Sequence, residues 1–138
     1  DGTDWQKVHA ARVLRSLALN SENQVAIASA GGIAPLVALA CDGTDWQKEQ
    51  AAGALRNLAA NADNRVAIAR VGGIAPLVAL ARDGTDGQKE WAARTLHNLS
   101  INDDNKVAIA KAGGIAPLVA LARDGLDGQK YYAAGALA

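Results

Sequence analysis

Apolar residues in this chain fall at helical spacing and then return. Across residues 45–60, Ala51, Leu55 and Leu58 stand three or four apart, which places them on one face of a helix. Thr44 and Gln47 precede that stripe with the spacing of a capping box, as do Thr3/Gln6 and Thr85/Gln88 in the neighbouring copies. The pattern predicts a long helix over residues 45–60. Asn61 ends it, as Asn20 and Asn102 end its counterparts. Two shorter helices accompany it. One covers residues 64–70, with Val66 and Ile68 apolar, and stops at Gly72-Gly73, where glycine permits a left-handed helix end and a sharp turn. The next covers residues 74–82, with Pro76 in a first turn that loses little by lacking an N–H.

The unit repeats. "DGTD" begins at Asp1, Asp42 and Asp83 and returns as "DGLD" at Asp124, a step of 41 residues. "GGIAPLVALA" recurs at Gly31, Gly72 and Gly113. A fixed period of about 40 residues made of helices predicts an all-α solenoid, in which no unit buries its apolar face alone and neighbours must stack.

Composition narrows what such an array does. Half of the 138 residues are hydrophobic, mostly Ala, Leu, Val and Ile, with no Phe or Met, which suits closely packed helices. Fourteen basic and fourteen acidic residues cancel, so no overall field favours nucleic acid or an anionic membrane. No apolar run reaches membrane-spanning length and nothing resembles a signal peptide. Cys41 is the single cysteine; it makes no internal disulfide, which favours a reducing, intracellular compartment, cytoplasmic or nuclear. The chain stops mid-pattern at "AAGALA" and reads as a piece of a longer array or a designed segment.

The short–medium–long helix order and the motif "NRVAIARVGGIAPLVALAR…QAAGALRNLA" together resemble the armadillo repeat family, over the whole chain. The resemblance implies a right-handed solenoid of three-helix repeats in a single domain, residues 1–138. A lone third helix (4–19) would precede repeats at about 21–61, 62–102 and 103–138, the last truncated. It also implies a concave groove, lined by third helices, that binds an extended peptide or protein segment. In that family an asparagine ladder grips the partner's backbone; Asn57 and Asn98 match it, and Ser16 occupies the position in the first helix. A side-chain amide both donates and accepts, so it can answer both polar groups of one peptide unit. Where the family often carries tryptophan, four residues before the asparagine, this chain has Arg12, Gly53, Arg94 and Gly135. That departs from importin-like members with basic partners and is more similar to catenin-type members with acidic ones.

The chain's own copies add an independent signal. The first two helices hardly vary, whereas the third helix varies at four positions spaced four, three and four apart, one helical face. These read Trp5, Trp46, Gly87, Gly128; then His9, Gln50, Trp91, Tyr132; then Arg12, Gly53, Arg94, Gly135; then Ser16, Asn57, Asn98. The aromatic platform moves one turn along as Trp46 gives way to Gly87 and Trp91 appears. The alternation of Arg and Gly suggests that Arg12 and Arg94 lie over a neighbouring glycine. The candidate groove residues are therefore Trp5, His9, Arg12, Ser16, Trp46, Gln50, Gly53, Asn57, Trp91, Arg94, Asn98 and Tyr132. His97 lies off the stripe.

Other chemistry finds little support. His9 and His97 have no Cys, Asp or Glu at ligand spacing, so no metal is expected, and no cofactor motif is present. "DGTD" lacks the distal ligands of a calcium loop and reads as a turn and cap. Cys41 replaces Arg82 and Arg123 in a surface slot, with no activating partner. The expectation is a non-catalytic interaction module, possessing a groove for an extended, preferably acidic peptide. The alternatives are a spacer or designed scaffold without a ligand, and an array fragment that self-associates through its open ends.

Overall fold

Each unit turns its corner at a glycine pair. Gly31, Gly72 and Gly113 adopt φ 81°, the left-handed region predicted for the helix end. The following glycine is needed for closeness: a Cβ on Gly73 would stand 2.7 Å from Cγ2 of Ile68. At these corners the chain bends by 84°, 85° and 92°.

The computed structural model describes residues 2–138. Ten helices are present among them: α1 (Gly2–Leu17), α2 (Ser21–Ser29), α3 (Ile33–Asp42), α4 (Asp45–Leu58), α5 (Ala62–Arg70), α6 (Ile74–Asp83), α7 (Asp86–Leu99), α8 (Asp103–Lys111), α9 (Ile115–Asp124) and α10 (Asp127–Leu137). The long helices α1, α4, α7 and α10 pack side by side in sequence, and α3, α6 and α9 lie behind α4, α7 and α10. Leu55, Leu58, Ile68, Leu77, Leu96 and Leu99 are fully buried between them. Stacking supplies this burial. Ile74 is 6% exposed, whereas its copy Ile115, with no following repeat over it, is 53% exposed.

The capping boxes form where both residues are in place. Gln47 N donates to Thr44 Oγ1 at 3.2 Å and Thr44 N donates to Gln47 Oε1 at 3.0 Å; Thr85 and Gln88 repeat the pair at the same distances. The Thr3/Gln6 box expected for α1 is not built, because α1 begins at Gly2 and Thr3 already lies within it. At the last copy Leu126 has no hydroxyl, and only the Gln129 half survives, accepting from Leu126 N at 2.9 Å. The asparagines expected to end the long helices instead start the next ones. α4 ends at Leu58, and Asn61 caps α5 by accepting from Asn64 N, as Asn20 and Asn102 cap α2 and α8.

The invariant polar residues also stitch repeats together. While its oxygen caps, the amide nitrogen of Gln47 donates to the carbonyl of Asp4 at 3.0 Å; Gln88 and Gln129 reach Asp45 and Asp86 at 2.9 and 3.0 Å. Asn64 bridges the carbonyls of Gln24 and Leu58, and Asn105 bridges those of Arg65 and Leu99. These amides are buried and paired, so their invariance has a structural cause. Among the described residues no single helix is long and apolar enough to cross a membrane.

Candidate functional site

The exposed faces of α1, α4 and α7 enclose an open cleft of about 610 Å³. The predicted stripe supplies Arg12, Ser16, Trp46, Gln50, Asn57, Trp91 and Arg94 to its walls. Arg15 and Arg56 join them, although they lie outside that stripe. The remaining predicted residues lie to either side. Trp5 meets His9 edge-on at 4.7 Å near the start of α1 and shares a second recess, about 320 Å³, with Trp46, Val8 and Arg12. Tyr132, on α10, lies outside the lining, against Arg94.

A stack of cations and rings organises the cleft. The Arg15 guanidinium carbon lies 4.1 Å from the centroid of Trp91, and that of Arg94 lies 4.4 Å from it. Arg94 also faces Tyr132 at 4.7 Å. Guanidinium groups are attracted to the electron-rich faces of aromatic rings at these distances. Arg15 belongs to α1 and Trp91 to α7, so Arg15 must pass over α4. Gly53 opens the path: a Cβ there would stand 2.9 Å from Arg15 Cδ. Gln50 supports the crossing, its Oε1 accepting from Arg15 Nη1 at 3.1 Å.

This corrects the expected pairing of arginine and glycine. Arg12 and Arg94 do not fill the glycine notches. Arg15 fills that of Gly53, and His97 fills that of Gly135, its Cδ2 2.8 Å from a would-be Cβ. His97 also lies 6.1 Å from Tyr132, ring to ring, so it belongs to the stacked surface rather than outside it. Gly87 and Gly128 follow the same rule beneath the carboxylates of Glu49 and Glu90. In every case the glycine receives the side chain three residues beyond its own counterpart on the preceding long helix. The signal was visible in the chain, because Arg15, Arg56 and His97 share one position and differ between copies.

The asparagines have a scaffold duty. Asn57 Nδ2 donates to the carbonyl of Arg15 at 2.8 Å, and its Oδ1 accepts from Arg56 Nη1 at 3.0 Å. Asn98 Nδ2 donates to the carbonyl of Arg56 at 3.1 Å. Asn57 is only 5% exposed, while Asn98 is half-buried. Ser16 is exposed at the equivalent place.

The cleft is electropositive. Four arginines and, among the described residues, no carboxylate line it. Burial lowers the pKa of Arg15 below the usual arginine range; Glu49 opposes this, and the positive charges of Arg94 and Arg12 add to it. Burial and Arg94 likewise lower that of Arg56, against an opposing contribution from Tyr132. Arg94 Nε is buried and has no hydrogen-bond partner. Among the described residues no three His, Cys, Asp or Glu side chains gather where they could hold a metal ion.

The same geometry recurs in known proteins. Residues 20–60 match the model of the armadillo/β-catenin-like repeat. No curated protein matches the chain at a significant level. An engineered protein of known structure is similar with a TM-score of 0.92 and 32% identity, over 97% of this chain and 56% of that one. A set of computationally designed armadillo repeat proteins for modular peptide recognition gives 0.89 and 25%, over 98% and 62%. The armadillo repeats only protein from Plasmodium falciparum gives 0.76 and 28%, over 83% and 50%. The chain thus spans between 50% and 62% of the length of these proteins. By its repeat, its helix order and its stacking, the chain has the fold of the armadillo repeat proteins, whose family model it matches over residues 20–60.

Proposed function

We propose that the chain is a non-catalytic interaction module that binds an extended, acidic peptide segment across α1, α4 and α7. The observation that carries this reading is the cleft with four arginines and no lining carboxylate, on a protein whose charges otherwise cancel. The designed relatives made for peptide recognition support a peptide as the class of partner. Trp46, exposed at the cleft wall, offers an apolar shelf beside the arginines, and Trp91 holds two of them in place. Asn98, half-buried and with one amide N–H engaged, retains an oxygen and a second N–H for a partner's backbone. Each partly shielded Arg–carboxylate bond would contribute about 1.5–3 kcal/mol, and less where exposed.

The test is a titration of an extended glutamate-rich peptide, with a lysine-rich peptide of equal length as control. The acidic peptide binds and the basic one does not. Replacing Arg12 and Arg94 together by alanine weakens acidic binding; undiminished affinity in that variant rules out the charge-based reading.

A further inference from the structure

We propose that the cleft contains a subsite for a phosphoryl dianion carried on the bound peptide, formed by Arg15, Arg56 and Arg94. This rests on the peptide-groove reading above and specifies the chemistry of one position within it.

The argument begins with the stack. An arginine lying on a ring keeps its in-plane N–H groups free for hydrogen bonding, because the ring occupies only its face. Trp91 therefore holds Arg15 and Arg94 without consuming their donors. Gly53 and Gln50 bring Arg15 across from another repeat, so two guanidinium groups distant in sequence converge on one indole. Arg56, from α4, lines the same cleft, its position set by Asn57.

The donors exceed the acceptors. Arg15 has Gln50 as its hydrogen-bonding partner, Arg56 has Asn57, and Arg94 has a buried Nε–H with none. Glu49 acts on Arg15 from outside the lining. One carboxylate satisfies one guanidinium in a bidentate pair and leaves the other two repelling each other. A phosphoryl group carries about −1.5 to −2 charges at neutral pH and three strong acceptor oxygens, which suits a cleft lined by these three guanidinium groups and no carboxylate among the described residues. A peptide bears this group better than a nucleic acid does here, because the array has no net positive charge with which to follow a polyanion beyond the cleft.

The test uses fluorescent forms of one acidic peptide that differ only at a central residue: serine, glutamate or phosphoserine. Anisotropy titration gives the affinity of each. The phosphoserine form binds at least about tenfold more tightly than the glutamate form. Arg56→Ala removes most of that advantage, whereas Lys111→Ala, on the exposed surface of α8, leaves it intact. Gly53→Ala displaces Arg15 and reduces the advantage severalfold while the melting temperature changes little and unfolding stays cooperative, a combination that loss of folding does not produce. Three equal affinities overturn the subsite and leave the groove reading standing. Failure of every peptide to bind overturns both. Inorganic phosphate binding as tightly as the phosphopeptide, or an oligouridylate binding more tightly, overturns the assignment to a peptide.

Discussion

The seam between α1 and α4 and the seam between α4 and α7 are built alike and behave differently. Both place long helices side by side, tie them with a Gln amide to a carbonyl, and bury the leucine pair of the later helix, Leu55 and Leu58 in α4 and Leu96 and Leu99 in α7. At the first seam α4 presents Gln50 and Gly53, and Arg15 lies down across it to reach Trp91. At the second, α7 presents Trp91 and Arg94. No notch is open to Arg56, which turns back to Asn57 on its own helix. Two residues on one helix thus decide the path of an arginine on its neighbour. A glycine in this cleft shapes its surface as much as a side chain does, because it determines which side chain may cross.

The comparison can be broken first at the core. Leu55→Ala and Leu96→Ala each remove a fully buried side chain and are expected to cost about 2–5 kcal/mol in urea unfolding. Nearly equal losses would show that the two seams share one scaffold, and a wide disparity would show that they do not. The asparagines should separate the seams. Asn57→Ala breaks two bonds at a buried site and should cost about 1–3 kcal/mol, against about 0.5–1.5 kcal/mol for Asn98→Ala. Equal losses would mean that the Arg56 bond to Asn57 contributes nothing.

The caps offer a milder contrast. Thr44→Ala removes a formed box and should lower stability by about 0.5–2 kcal/mol, while Thr3→Ala, inside α1, should leave it within about 0.5 kcal/mol. The smallest net change in stability is expected for Gly53→Ala. Helix propensity favours it by about 1 kcal/mol, and displacing Arg15 from Trp91 opposes that with about 0.5–2 kcal/mol. Its signature is optical: Trp91 emission should shift in Gly53→Ala, where Arg15 moves. It should not shift in Gly135→Ala, where His97 moves instead.

The fold was readable because its signals are local. The glycine corners, the boxes at Thr44 and Thr85, and the leucine stripes each act within a few residues, and a period of 41 multiplies them. The variable stripe was readable for the same reason. The stack was not, since Arg15 and Trp91 meet only after two helices have packed, and their relation depends on a gap at Gly53. Helical spacing says which residues share a face. It does not say that a side chain leans toward the helix N-terminus and covers the space three residues away on its neighbour. That offset is why Arg15 and His97, rather than Arg12 and Arg94, fill the notches. Thr3 misled because a capping pair has meaning only at a helix start, and α1 starts earlier.

The most direct test makes the two seams identical. In a variant carrying Trp91→Gln and Arg94→Gly, α7 presents the same two residues as α4. The account predicts a folded array, less stable by about 1.5–3 kcal/mol through the added glycine and the lost stack. It also predicts affinity for an extended acidic peptide reduced by about tenfold or more. An unchanged affinity in that folded variant would contradict the claim that Trp91 and Arg94 create the recognition surface.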